Sequence, residues 1–415
     1  MSYKTLGDYI QPVNIRNKGL EVTTLLGVSI RKVLMPSIAN TIGTNMKTYK
    51  IIKQNQFAYG PVTSRNGDKI SIALLEEHEI AIVSQAYTVF EVKDEQEVLP
   101  EYLMMWFRRP EFDRFARFKS HGSAREVFDW EELCDTQLPI PSIEKQQQIV
   151  NEYNTVTNRI HLNNQLNQKL EKTAQALYKH WFVDFEFPNT ENKPYKSSGG
   201  EMVYNEDLDK DIPVGWSVES IGSLCQIGSS KRVFQKDYVE NGIPFYRSKE
   251  IILKKKGEVI SEPLFISDNH YSELKSKYGI PKKNDILLTA VGTLGTSYRV
   301  SDETFYFKDG NLMWFKDFLS DSLSIFIYDF MQSKEFEKLI NDITIGSTQK
   351  AITINTMSEK SLVKPIKLVL DKYSLFSNSI RTNQKTKSCE KESFTKLQSL
   401  LLAKMTQQET KAQAV

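Results

Sequence analysis

The sequence lacks the residue pairs and spacings on which most enzyme and membrane signatures depend. Its three cysteines, Cys134, Cys225 and Cys389, lie far apart. That supplies neither a disulfide framework nor a thiolate metal site, and points to a reducing cytoplasm. Residues 1–19 hold no apolar core of signal-peptide length, and no apolar run approaches the ~20 residues of a membrane span. No two prolines adjoin, so the Asn/Asp/Ser-Pro-Pro-aromatic loop that holds a flipped base for amino-methylation is missing. Gly-Lys never occurs, which excludes a phosphate-cradling Gly-Lys-Ser/Thr loop. The five histidines, His78, His121, His161, His180 and His270, form no ligand pair or nucleophile triad. Glu91-Val92-Lys93 matches half of a metal-nuclease motif, but it sits in a strand pattern with no Pro-Asp partner. A net charge of +2 indicates no partner. The expectation is a chain without chemistry of its own.

What is present is size and repetition. With 415 residues, 40% hydrophobic and 26% charged, the chain is of soluble globular composition and long enough for two or more domains. Laid on itself with a shift of 224, it matches in order and without gaps. Pro110-Glu111-Phe112 meets Lys334-Glu335-Phe336, Gly122-Ser123 meets Gly346-Ser347, Leu138 meets Leu362, and Pro141 meets Pro365. At a shift of 220, Asn158, Ile160 and Asn163 meet Asn378, Ile380 and Asn383, and near the starts Leu6-Gly7-Asp8 resembles Ile221-Gly222-Ser223. A repeat of half the chain implies two similar domains in tandem, not a solenoid.

Each unit passes from strand-like to helix-like pattern. Ile70–Leu74, Ile80–Val83 and Tyr87–Val92 in the first, and Asp285–Thr289, Thr304–Phe307 and Leu312–Phe315 in the second, are short β-branched and aromatic runs bounded by turn residues. A shorter helix is expected near 100–119 and again near 321–342. Val291-Gly292-Thr293-Leu294-Gly295 lacks the third glycine and following helix of a phosphate loop and predicts a tight turn. From Ser142 to about Asp184 there is no Gly or Pro. There Ile149, Val156, Asn163, Leu170 and Leu177 recur every seven residues, flanked by Tyr153, Ile160, Leu166, Ala174 and Trp181. This is a coiled-coil seam on a helix of roughly 60 Å. Tyr373, Ile380, Phe394, Leu397 and Leu401 carry a weaker version, so the two helices should pair, antiparallel if a pseudo-twofold relates the units. Asn163 and Asn383 fall at equivalent seam positions, where a polar residue fixes register.

Particular motifs carry a family resemblance. Trp181-Phe182-Val183-Asp184-Phe185-Glu186 resembles the close of the central conserved region of type I restriction-modification specificity subunits, and Ile212-Pro213-Val214-Gly215-Trp216 resembles the opening of one of their recognition domains. Leu138-Pro139-Ile140-Pro141 with Glu144–Val150 is similar to the start of the family's first long helix. Asn241–Phe245, Asp285–Leu288 with Gly292–Gly295, and Gly346-Ser347-Thr348-Gln349-Lys350 resemble pieces of its target-recognition domains. The last helix lacks the Trp-Phe-Val-Asp-Phe closure, and Val13–Phe57 diverges.

The resemblance implies an α+β fold. Two tandem mixed recognition domains, 1–141 and 212–365, are separated by two long helices, 142–187 and 366–411, in an antiparallel coiled coil, with a linker at 188–211. It implies a non-catalytic subunit that reads a split, asymmetric site in double-stranded DNA. Two methyltransferase subunits using S-adenosylmethionine would methylate adenine at N6, and two motor-nuclease subunits using ATP and Mg would restrict unmodified DNA. No cofactor or metal is expected on this chain.

Candidate DNA contacts follow from residue chemistry: Arg or Lys for guanine and phosphate, Asn or Gln for adenine. In the first domain they are Arg65, Asn66, Gln85, Tyr87 and Arg125. In the second they are Lys231, Arg232, Lys236, Arg247, Lys249, Thr293 and Lys350, with Lys254, Lys255 and Lys256 as phosphate anchors. The pairs Arg31-Lys32, Arg108-Arg109 and Lys282-Lys283 are further basic clusters. Trp181, Phe182, Phe185 and Leu401 lie off the main seam and are expected to dock partner subunits. Two other classes compete: a DNA-processing enzyme with unrecognised catalytic residues, and a coiled-coil adaptor that binds only proteins.

Overall fold

The computed structural model describes residues 3–37, 43–64, 69–121, 126–346 and 350–407. The chain forms two compact units, one of residues 1–163 with 390–415, the other of Asn164–Cys389. Each unit therefore owns one recognition-type domain and one half of each long helix.

In unit 1 a four-stranded antiparallel sheet runs in the order Ile10–Val13, Thr88–Val92, Phe57–Gly60, Ser71–Leu74. Unit 2 repeats that order with Gln226–Gly228, Leu312–Lys316, Ile286–Thr289 and Ser297–Arg299. Strands with both faces covered are apolar on both faces. In unit 1, Phe57, Tyr59, Ile72 and Phe90 face a core shared with helices, while Ala58 and Val89 face a second sheet. In unit 2, Ile286, Leu288, Met313 and Phe315 divide from Leu287, Leu312 and Trp314 in the same way. The second sheet of each unit holds one parallel pair, Leu25–Val28 with Ile80–Val83 and Ile243–Tyr246 with Tyr306–Phe307. A two-stranded pair brings the ends of each domain together, Tyr3–Thr5 with Gln137–Pro139 and Ser217–Ser220 with Ser361–Lys364. The duplication thus runs through the sheets as well as the sequence.

The single helices expected near 100–119 and 321–342 are each two. Pro110 holds Arg109 extended at ψ 137° and starts a new helix, which separates Pro100–Arg108 from Pro110–Lys119. In unit 2, Ser333 accepts from Phe336 N and caps Lys334–Ile343 after Asp321–Phe330 has ended.

The first long helix spans Ile143–Tyr178 and ends in a wider turn at Lys179–Val183. The second spans Lys367–Gln407. They run antiparallel within each unit. In unit 1 Gln398 Nε2 donates to Thr157 Oγ1 at 2.8 Å and Asn163 Nδ2 to Glu390 Oε2 at 3.2 Å. In unit 2 Asn167 Nδ2 donates to Ser388 Oγ at 3.1 Å and Gln384 Nε2 to Glu171 Oε2 at 3.0 Å. Asn163 is a buried seam residue, but Asn383 is not. Asn383 is exposed and returns its amide to Ser379 O of its own helix at 3.0 Å. Of the weaker seam Tyr373 is buried, Ile380, Phe394 and Leu401 are half-buried and Leu397 is exposed, and the buried face runs through Val369, Leu370, Tyr373, Ser377, Leu402 and Met405.

The segment at 188–211, expected as a linker, is ordered. Phe187 stacks on Tyr195 and on Trp216, and Met202–Asn205 pairs with Lys210–Pro213. Polar composition concealed a segment held by three aromatic rings. Among the described residues no helix is long and apolar enough to cross a membrane.

Candidate nucleic-acid interface

In unit 2 the loops carrying most candidate residues converge on one turn, Asp309-Gly310-Asn311, between Tyr306–Phe307 and Leu312–Lys316. Ser229 Oγ accepts from Gly310 N and donates to Leu312 O, each at 3.2 Å, and Ser230 Oγ donates to Phe307 O at 2.7 Å. Lys231 N donates to Tyr306 Oη at 3.0 Å, and Arg232 Nε reaches Asp309 Oδ2 at 2.9 Å. Val233 is fully buried, which anchors the loop from below and presents Lys231, Arg232 and the exposed Phe234. On the other side Ala290 N donates to Asn311 O at 2.9 Å, and Ser248 Oγ donates to the same oxygen at 3.3 Å.

The sequence Ala290–Thr296 forms the tight turn expected of it. Gly292 (φ +78°) and Gly295 (φ +77°) adopt the left-handed conformation that side chains resist. Gly292 N donates to Lys350 O at 3.1 Å, and Val291 and Ile345 both bridge to Ala351. Thr293 and Lys350 are thereby neighbours, both exposed.

Unit 1 is built alike. Val62 and His121 both bridge to Val127, the counterpart of Val291 and Ile345 on Ala351. Thr63 Oγ1 meets Ser120 Oγ at 2.9 Å. At the shift of 224 the hub turn corresponds to Ser84–Tyr87, so Gln85 and Tyr87 occupy the places of Asp309 and Asn311. Gln85 is exposed. Tyr87 is half-buried, accepts from Val28 N at 3.4 Å, and lies over Gly60, where a Cβ would stand 3.2 Å from its ring. Arg65, Asn66 and Arg125 lie outside the described residues.

Several candidates are corrected by their surroundings. Lys254 Nζ pairs with Glu303 at 2.5 Å beside the rings of Tyr246 and Tyr298, and Lys255 Nζ donates to Tyr328 Oη (2.8 Å) and Gln332 Oε1 (2.7 Å). Burial works to lower the Lys254 ammonium, but Glu303 outweighs it and holds the group above its usual range. Of the three, Lys256 alone is exposed. Arg247 is spent on Glu250, a buried carboxylate it grips through Nε (3.1 Å) and Nη2 (2.7 Å). Lys236 and Lys249 are exposed. Of the other clusters, Lys32 and Arg109 are internal, while Arg31, Lys282 and Lys283 are exposed. Lys32 is buried against Asp113 (2.8 Å), Arg109 is buried with its Cζ 4.1 Å from the Trp106 ring, and Lys283 pairs with Asp302 at 3.0 Å.

The expected partner-docking residues are also core. Trp181, Phe182 and Phe185 are buried with Trp216, Phe326 and Tyr373, the Phe182 ring lying 4.6 Å from that of Tyr373. Leu401 packs partly buried against the core of unit 1. The wide turn at Lys179–Val183 and Phe185 at φ +60° swing these aromatics inward, a rotation that a heptad reading does not anticipate. The large apolar residues left outside on the second helix are Leu368, Leu375 (73% exposed), Phe376, Leu397 and Leu400.

Sequence reasoning passed over Phe234, Lys308 and Asn311. The signal was available: Asp309-Gly310 is a strong turn dipeptide between two strand runs, and what flanks such a turn is presented at a sheet end.

Residues 32–172 and 213–368 match the family described as the type I restriction modification DNA specificity domain, two matches that together cover more than half of the chain. Over 279 residues, 66% of this chain, the sequence is 28% identical to the type I restriction enzyme MjaIX specificity subunit of Methanocaldococcus jannaschii. That alignment spans about three fifths of the relative, 61% of its length. It is 23% identical over 427 residues, 90% of each chain, to the type I restriction enzyme HindI specificity subunit of Haemophilus influenzae. The crystal structure of a type I restriction-modification S subunit from M. genitalium superposes with a TM-score of 0.55 at 13% identity, covering 97% of this chain and 95% of that one.

Proposed function

The chain belongs to the family of type I restriction-modification specificity subunits, and on that premise we propose that each of its two recognition domains reads one half of a split, asymmetric duplex site. As a specificity subunit it is the DNA-recognition component, not the catalytic one. The observation that carries the two-module reading is the loop cluster built twice on corresponding turns, Ser84–Tyr87 and Asp309–Asn311, each beside a bridged loop centred on Val127 or Ala351.

Phosphate contacts position such a protein and base contacts specify. The exposed lysines Lys236, Lys249 and Lys256 suit the first role. Gln85, Arg232, Thr293 and Lys350, presented on pinned turns, suit the second, and Arg232 keeps 63% of its side chain exposed despite Asp309. In the assembled enzyme two methyltransferase subunits carrying S-adenosylmethionine would modify adenine at N6 in the cytoplasm. Two motor-nuclease subunits with ATP and Mg would act on unmodified DNA. Exposed Leu368, Leu375 and Phe376 supply an apolar face for a methyltransferase partner.

The test is exchange of residues 1–141 for the first domain of another family member, with methylated adenines mapped across the genome of the host. One half-site should change and the other stay. If both change together, the domains do not read independently. Turnover by the pure chain with S-adenosylmethionine or Mg would overturn the non-catalytic role.

A further inference from the structure

Asp329, on the helix Asp321–Phe330, is only 2% exposed. Its carboxylate accepts from Tyr373 Oη at 2.8 Å and from Ser377 Oγ, both on the second long helix. It also accepts from Arg381 of that helix, through Nε at 3.1 Å and Nη2 at 2.5 Å. The remaining Nη1 of Arg381 donates to Glu171 on the first long helix and to Gln384 Oε1 at 2.9 Å. One guanidinium, with Cζ 5.2 Å from the Tyr328 ring, thus ties a recognition-domain helix to both long helices of unit 2.

Burial works against each charge here. It would lower the Arg381 guanidinium, but Asp329 and Glu171 hold it well above its ordinary range. It would raise the Glu171 carboxyl, but Arg381 and Lys255 hold it down at about 2. A buried ion network of this kind is poor evidence for stability, because apolar residues of the same volume often do as well. What it adds is direction. Apolar packing is non-directional and lets a helix turn against its neighbour by a fraction of a residue, whereas the planar fork of an arginine accepts one setting.

The corresponding positions of the other unit carry different groups. At the shift of 220, Tyr373 and Ser377 correspond to Tyr153 and Thr157. In unit 1 the domain helix presents Arg108, Cζ 5.8 Å from the Tyr153 ring, where unit 2 presents a carboxylate. Thr157 donates to Tyr153 O of its own helix at 2.9 Å.

We propose that Asp329, acting through Arg381, is a positioning residue that sets the rotation of the second recognition domain on the helix pair, and with it the gap at which the second half-site is read. The proposal rests on the chain's reading as a specificity subunit. The full chain is co-expressed with its methyltransferase, and methylated adenines are mapped for the wild type and for Asp329→Asn with Arg381→Gln, a double change that removes both charges and little volume. Both half-site sequences should persist. Preference for the native gap over gaps one base pair longer or shorter should fall by about tenfold or more, the scale of one mismatched base pair. Arg381→Lys, which keeps the charge without the fork, should recover part of that preference. A double variant with native gap preference, whatever its rate, overturns the proposal, as does an Arg381→Lys variant no better than the double one. Should the double variant not fold, Glu171→Gln frees only the first helix. It should lower the preference less, in competition between duplexes of different gap, and an unchanged preference there overturns the proposal equally. A wild-type chain that directs no two-part methylation would overturn the functional reading itself.

Discussion

The two units share a strand plan but join their domains to the long helices by different chemistry. In unit 1 the joint is mainly apolar: Val150 and Tyr153 pack against the domain core, Gln146 Nε2 donates to Glu97 O and Pro141 O while its Oε1 accepts from Leu99 N, and the charged Arg108 lies over the Tyr153 ring and pairs with Glu76 at 3.4 Å. In unit 2 the joint is aromatic and charged, with Tyr178, Trp181 and Phe182 packed on Phe326 and Tyr373 beside the Asp329–Arg381–Glu171 network. Duplication preserved what backbone pairing and alternation require. It left free the side chains that decide how firmly, and in which direction, a domain is held.

The largest test of this contrast is Phe182→Ala. The ring is buried and lies 4.8 Å from Phe326, so its loss should destabilise unit 2 by about 3–5 kcal/mol. The second long helix offers the core of unit 1 Leu402 and Met405, with Leu401 partly buried beside them, so Leu402→Ala should cost unit 1 less, about 2–3 kcal/mol at such a half-open edge. Hydrogen exchange read peptide by peptide distinguishes the units, and equal losses would show that the joints are equivalent.

Lys254→Gln comes next. It leaves the half-buried Glu303 without its cationic partner, held by Tyr298 Oη, and should cost unit 2 about 1–3 kcal/mol in thermal or denaturant unfolding, with no change in the salt dependence of DNA binding. Lys256→Gln should do the reverse, sparing stability and reducing the salt slope by about one. A Lys254 variant of full stability that binds DNA more weakly would restore it as a phosphate anchor.

Acid should open the two joints differently. The folded-state value of Glu171 is about 2, below its ordinary 4.5. Its contribution is therefore complete above the ordinary value and is lost as pH falls through that window. Exchange at peptides covering Tyr373–Gln384 should accelerate as pH falls from about 4.5 to about 2, after correction for intrinsic exchange, and Glu171→Gln should remove that dependence. The smallest effect is expected at Asn163→Leu. It should be near neutral for stability, because Asn163 and Glu390 lose a 3.2 Å bond but gain apolar packing, and the change should read as looser helix register in cross-linking across the pair.

Legibility varied with the kind of signal. The strands at Ser71–Leu74, Ile80–Val83 and Leu312–Lys316 were readable because a doubly covered strand must be apolar on both faces. The helix break at Pro110 was also written in the sequence, since proline restricts the residue before it. The candidates Thr293 and Lys350, chosen through their glycine-bearing loops, lie on loops joined by the Gly292 N to Lys350 O bond. The surroundings of Lys254 and Lys255 were not legible, because Glu303 lies 49 positions from Lys254, and Tyr328 and Gln332 lie 73 and 77 from Lys255, whereas the Arg247–Glu250 pair spans only three positions. Trp181, Phe182 and Phe185 were misread because a seven-residue seam assumes a regular helix up to its end, whereas this one widens over its last turn.

By itself the sequence determined the doubled plan, the family, the two long helices and the want of catalytic motifs, because periodicity, spacing and motif are local or translational properties of a chain. Only the tertiary structure decided which charges are spent inside, which aromatics are core, and that Asp329, Arg381 and Glu171 meet. Those outcomes depend on contacts between residues 52 and 210 positions apart, where electrostatics and burial are set by neighbours that no stretch of sequence contains.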